Sequence, residues 1–266
     1  MNTLEERDAR VRKGVGMAVT AHGYVSAIQS VIDRIALTQV DNVSQAADHI
    51  VTALRAGGLL QAFGTGHSEA VAVDFAGRAG GLVPTNKILL RDLVVYGGAD
   101  PQILEDEKLE RDPRIAGQLY EIAAPRPEDV FVMASQSGIN GGIVEMALLI
   151  KQRGHKLIAI TSVEHTERVA PRHPSGKRLA DIADVVLDNG APYGDALLSL
   201  ESGGAVCPVS SVTNALIAQL VVAEVVRRIE AAGEVAPVYL SANVPGGDEH
   251  NHTLESRYAG RVRRTA

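Results

Sequence analysis

The strongest constraint on the fold is a unit that recurs along the chain: a short apolar run, a turn of small residues, then a stretch with helical spacing. Val130-Phe131-Val132-Met133-Ala134 is the clearest run, apolar at every position, as a strand covered on both faces requires. Residues 59–63, 87–90, 157–161 and 184–187 read as strands of the same kind. Helical periodicity covers 17–37, 46–54 (after an Asp41-Asn42 cap), 68–79, 113–123, 141–153 and 210–232. Short strands alternating with helices predict a parallel sheet between two helical layers, a three-layer α/β/α architecture. Residues 91–112 read as a loop with a helical turn, 189–209 as irregular, and the stretch after 237 as loop with a last helix from Asn251. Three segments are expected: helices at 1–56 that pack on the domain or on a dimer partner, the main domain at 57–234, and a tail at 235–266 that contributes to the site.

Composition removes several function classes. Aromatics are 3% with no Trp, which argues against stacking platforms for bases and against aromatic sugar clefts. A net charge of −6 gives no basic footprint, so neither nucleic acid nor an anionic membrane is an expected partner. Cys207 is the only cysteine, and the charged N-terminus lacks the apolar core of a signal peptide. The longest apolar stretch, 206–226, is interrupted by Ser210, Ser211, Thr213, Asn214, Gln219 and Glu224. A cytoplasmic protein is expected.

Ligands of open parallel sheets bind at the carboxyl ends of the strands, and two turns here are built for an anion. Gly64-Thr65-Gly66-His67-Ser68 joins a strand to a helix, though Gly-x-Gly-x-Ser is an incomplete dinucleotide fingerprint and also suits a purely structural turn. Ser135-Gln136-Ser137-Gly138-Ile139-Asn140 stands in the same position after the next strongly apolar strand. Short hydroxyl and amide side chains beside free helix-start amides can surround a tetrahedral oxyanion without much positive charge. One Ser or Asn would serve as a helix cap; Ser135, Ser137 and Asn140 together exceed that need.

The succession strand-Gly-x-Gly-x-Ser-helix and strand-Ser-x-Ser-Gly-x-Asn-helix, followed by Leu157-Ile158-Ala159-Ile160-Thr161-Ser162, resembles the sugar isomerase (SIS) domain family. Within it the chain is similar to the single-domain, phosphosugar-binding branch related to phosphoheptose and arabinose-5-phosphate isomerases. The segments carrying that likeness are 78–84, 108–111, 171–177, 189–196 and 241–251, spread over residues from about 20 to 258. The resemblance implies a five-stranded, flavodoxin-like parallel sheet, binding of a sugar phosphate, and a homodimer or homotetramer with sites shared between copies. Ser135, Gln136, Ser137, Gly138 and Asn140 would hold the phosphate, Gly64, Thr65, Gly66 and Ser68 would face the sugar, and Ser210 and Thr213 would be further contacts. A sulfonated sugar would suit the same donors.

Two departures bear on chemistry. Arg78 stands ten residues after Ser68, where phosphoheptose isomerases and the muramic acid phosphate etherases of the family keep a catalytic Glu. The segment 241–247 lacks the His of the arabinose-5-phosphate isomerase tail. Aldose–ketose interconversion needs a base for the carbon-bound proton and a group to polarise oxygen, and no redox cofactor or metal. Glu201, His250 and His67 are the expected candidates, His67 also being readable as a solvated loop residue. The alternatives are a non-catalytic sugar-phosphate sensor or regulator, and a 6-phosphosugar lyase or etherase.

Overall fold

Residues 18–258 and 260–263 are described by a computed structural model. The elements are α1 (Ala21–Thr38), α2 (Val40–Arg55), β1 (Leu60–Gly64), α3 (Glu69–Phe75), β2 (Thr85–Ile88), α4 (Asp92–Val95), α5 (Arg114–Ala123), β3 (Val130–Ala134), α6 (Gly141–Gln152), β4 (Lys156–Thr161), α7 (Val163–Arg168), α8 (Leu179–Ile182), β5 (Val185–Asp188), β6 (Ala196–Ser199), β7 (Ala205–Pro208), α9 (Ser210–Ala231) and α10 (Gly247–Ser256). Short 3-10 turns lie at Gly66–Ser68, Pro101–Glu105 and Leu109–Arg111.

The main sheet has five parallel strands in the order β2-β1-β3-β4-β5, the flavodoxin-like order. Side chains alternate across it, as the period of a strand demands. Val130, Val132 and Ala134 of β3 join a core with Val31 and Ile35 of α1, Ala46 and Ile50 of α2, Phe75 of α3, and Ile217, Val221 and Val225 of α9. Phe131 and Met133 point the other way, into a core with Leu93 of α4, Leu119 of α5, Ile143 and Met146 of α6, and Leu179 of α8. Uninterrupted apolar strands follow directly, because both faces are covered.

Several boundaries differ from the sequence expectation for identifiable reasons. The expected segment 1–56 lies partly outside the described residues; its described helices, α1 and α2, complete one layer of the sheet. The second helix begins at Val40, so Asp41 and Asn42 lie in its first turn, and buried Gln39 separates it from α1, its Oε1 accepting from the Asp188 amide at 3.0 Å. Helix α3 stops at Phe75 because Ala76 turns extended and Gly77 takes φ of 75°. The segment expected to be irregular holds an antiparallel β6–β7 hairpin, and the last helix starts at Gly247, ahead of Asn251.

The opposite end of the sheet is tied by Asp129. Its buried carboxylate accepts from the Leu59 amide (2.8 Å), Gln61 Nε2 (2.9 Å) and Arg261 Nη2 (2.6 and 2.9 Å). Among the described residues no helix is long and apolar enough to cross a membrane.

Candidate active site

Register places the two glycine-containing turns side by side. Gly64 pairs with Ala134, and Ala134 with Ile160, so the chain leaves β1, β3 and β4 at one level. A cavity of about 500 Å³ opens there, walled by the 65–68 turn, parts of the 135–140 turn, Glu110, His165, Gly194-Asp195 and the start of α9.

One side of the cavity is a nest of turn hydroxyls and free helix-start amides, donors of the kind that suit an anion. The Ser135 amide donates to Ile160 O (3.1 Å), and its Oγ accepts from the Gly138 amide (3.1 Å). That tight turn needs φ of 65° at Gly138, whose own carbonyl accepts from the Leu179 amide at 2.8 Å. The turn leaves the hydroxyl of Ser137 uncommitted, together with the first amides of α6, a helix of 12 residues with no side-chain cap. Thr65, Ser68 and Ser211 likewise present hydroxyls with no hydrogen-bond partner among the described residues. No Lys or Arg is among the lining residues, so an anion would be met by amides, hydroxyls and the dipole of α6. Beneath the nest, Gln136 Oε1 accepts from Asn189 Nδ2 (2.8 Å), which also donates to Asn214 Oδ1 (2.9 Å), while Gln136 Nε2 is buried without a partner.

Glu110 enters this site from a segment that reads as a charged loop. Its carboxylate accepts from Asn140 Nδ2 at 2.7 Å, and Asn140 Oδ1 accepts from Arg172 Nη1 at 3.3 Å. The cause lies in the first residues of α6. A Cβ on Gly141 would stand 2.2 Å from Arg111 O, and one on Gly142 would stand 3.0 Å from Glu110 O. Two glycines thus let the Leu109–Arg111 turn lie directly on the helix start, with buried Leu109 and Ile115 as its apolar anchors. Asn140 therefore serves the carboxylate and the guanidinium, not the anion nest alone.

His165 stands on the far wall. Ser162 caps its helix, its Oγ accepting from the His165 amide at 3.0 Å and donating to Ala191 O at 2.6 Å. The Gly194 amide donates to His165 Nδ1 at 3.1 Å, and the ring stacks on Tyr193 with centroids 5.1 Å apart. Burial lowers the His165 pKa below the ordinary imidazole value, against a smaller opposing pull from Asp195. Asp195 takes φ of 72° and caps α9: its carboxylate accepts from the Ser210 amide (2.8 Å), the Val209 amide (3.2 Å) and Ser210 Oγ (2.7 Å).

The structure gathers Thr65, Gly66, His67, Ser68, Ser135, Gln136, Ser137, Asn140 and Ser210 around the cavity, His67 as an exposed side chain. Gly64 and Gly138 do not line it. They shape its turns, a Cβ on Gly64 falling 2.3 Å from Ser68 O. Thr213 is fully buried and its hydroxyl is turned to Val209 O and Ser210 O, so it makes no contact with the cavity. Glu201 sits exposed between β6 and β7, outside the cavity wall. His250, on α10, donates from Nε2 to Val238 O at 3.0 Å and is also outside that wall. Arg78 is exposed and paired with Asp74. Sequence reasoning did not select Glu110, His165, Asp195 or Ser211 for the site. The signal for Glu110 was present in Gly141-Gly142, a helix start that tolerates close approach of another chain segment.

A family model for the SIS domain matches residues 23–162. The UPF0309 protein of Caldanaerobacter subterraneus is 36% identical over 245 residues, 90% of this chain and 98% of its own. The UPF0309 protein of Listeria monocytogenes is 38% identical over 226 residues, 85% of this chain and 91% of its own. Among solved structures, phosphoheptose isomerase from Neisseria gonorrhoeae superposes with a TM-score of 0.53 at 20% identity, covering 84% of this chain and 98% of that one. That last likeness is one of fold.

Proposed function

The chain belongs to the SIS-domain family, within the group of UPF0309 proteins, and from that premise we propose that it binds a sugar phosphate and interconverts its aldose and ketose forms. The observation that carries the reading is a carboxylate beside an anion nest in one cavity: Glu110, held by Asn140 at 2.7 Å, next to the uncommitted Ser137 hydroxyl and the uncapped start of α6. The nest anchors the phosphate. Glu110 takes the proton from the carbon beside the carbonyl and returns it to the neighbouring carbon through an enediol. No electrons are exchanged with a cofactor.

Apolar side chains support a homodimer or homotetramer with shared sites. Val206 and Val212 are 38% and 44% exposed beside Pro208 and Ser211 of the cavity wall, so a second copy over this face would close the opening. A cytoplasmic setting, expected from the lone Cys207, belongs to the same proposal.

The test is a thermal-shift panel of sugar phosphates and sugar sulfonates, followed by NMR in D₂O for aldose–ketose exchange with each ligand that binds. Expected are binding weakened about 10- to 100-fold in Ser137→Ala and exchange lost, with binding kept, in Glu110→Gln. Binding without exchange in the wild type would identify a sensor in place of an isomerase. Light scattering of the purified protein reads the oligomer, and a monomer at micromolar concentration refutes the shared site.

A further inference from the structure

The segment Asn189-Gly190-Ala191-Pro192-Tyr193-Gly194-Asp195 has no direct part in the anion nest, yet it converges on one side chain. Ala191 O receives the Ser162 hydroxyl that caps the helix of His165. Tyr193 stacks on the imidazole at 25° between ring planes, and is itself held by its amide on Glu164 Oε1 (3.3 Å) and by Arg168 over its ring at 5.6 Å. The Gly194 amide donates to Nδ1. A backbone N–H can only donate, so Nδ1 must be the unprotonated acceptor, and a neutral ring then carries its proton on Nε2. Nε2 has no hydrogen-bond partner among the described residues, while His165 lines the cavity that holds Glu110. The charged groups around it are Asp195, Glu164 and Arg168, and the last two pair with each other at 3.1 Å.

We propose that His165 is a catalytic residue of this site, an uncharged imidazole that presents Nε2–H to the carbonyl oxygen of the open-chain sugar. This rests on the isomerase reading above. As Glu110 removes the carbon-bound proton, the electron pair moves into the carbon–carbon bond of the enediol, and the negative charge gathering on oxygen is met by the Nε2–H. Transfer of the hydroxyl proton between the two oxygens, and return of the carbon proton from Glu110, complete the change with atoms and electrons balanced. A neutral donor suits this role because it stabilises the oxygen without offering Glu110 a permanent ion partner.

Two measurements test it. Long-range ¹⁵N–¹H spectra of the histidine rings at pH 7.5 read the tautomer with no ligand, assigned by the signal lost in His165→Ala. The expected signal is a neutral ring protonated at Nε2; a ring protonated at Nδ1, or a charged one, overturns the proposal. On the ligand that exchanges in the wild type, His165→Ala is expected to slow exchange on the order of 100-fold while sugar-phosphate affinity stays within about threefold. The variant His165→Gln places an amide N–H near the former Nε2 and is expected to recover part of the rate, whereas His165→Asn is not. Exchange in His165→Ala equal to wild type overturns the role of His165 alone; no exchange in the wild type on any ligand overturns the isomerase reading together with it.

Discussion

Replacing Gly141 by Ala tests the positioning of Glu110 from beneath, without removing any polar group of the site. The added Cβ would stand 2.2 Å from Arg111 O, so the Leu109–Arg111 turn must move by roughly 1 Å to reach an ordinary contact. Glu110 is the middle residue of that turn, and its 2.7 Å bond to Asn140 has little slack. Overpacking of this kind costs about 1–3 kcal/mol of stability. A misplacement near 1 Å at a reacting group costs on the order of 100-fold in rate. Urea denaturation reads the first quantity, and NMR exchange on the best substrate reads the second. Affinity for the sugar phosphate should change little, because Ser137 and the adjoining turn are separately held through Ser135, Gly138 and Leu179. A variant that loses stability by the expected amount and exchanges at the wild-type rate would falsify the reasoning that close packing at Gly141 sets the carboxylate.

Ser137→Ala should weaken sugar-phosphate binding by about 10- to 100-fold, the worth of a hydrogen bond to a charged group, with an unchanged denaturation midpoint, both read by calorimetry and urea titration. Asp195→Ala removes the cap of α9 and puts Ala at φ of 72°; a loss of about 2 kcal/mol in urea denaturation is expected, and no loss refutes the capping role. Buried His155 accepts the Tyr120 hydroxyl at Nε2 (2.8 Å) and donates from Nδ1 to Asp129 O (3.1 Å), and burial lowers its pKa. Its folded pKa being depressed, the unfolded chain binds the proton first, so its contribution is present above the ordinary imidazole pKa of about 6.5 and is lost as pH falls below it. Urea midpoints at pH 8 and 5.5 should differ more in the wild type than in His155→Gln; equal differences refute this.

Most of the sheet was legible because its cause is local. Apolar runs such as 130–134 and 157–161 carry their burial in composition, and the turns after them carry Gly and Ser at helix starts. The two turns that meet at the cavity were legible for the same reason. The partners of the nest were not, because tertiary packing delivers them. Glu110 is one acid among several in its segment, and only the missing side chains of Gly141 and Gly142 select it. His165 sits mid-helix with no spacing signal, and the groups that orient it lie 29 residues away at Gly194 and, through Ser162, at Ala191. The β6–β7 hairpin escaped because its strands are short and only Leu198 in them is buried, so no face is marked by apolar alternation. Glu201 and His250 were chosen for lying near glycine-rich turns, and such turns here end a hairpin and start a peripheral helix.

The grip of Arg261 on Asp129 has a consequence for how this chain is made. The carboxylate joins the starts of the two central strands, whose other ends carry both turns of the site, and its guanidinium arrives from 132 residues further on. During synthesis the sheet can assemble as each βα unit leaves the ribosome, but Asp129 is then held by the Leu59 amide and Gln61 without its counter-charge. The central strands reach their final hold only after residue 261 has joined them, so a late-arriving segment seals strands laid down well before it.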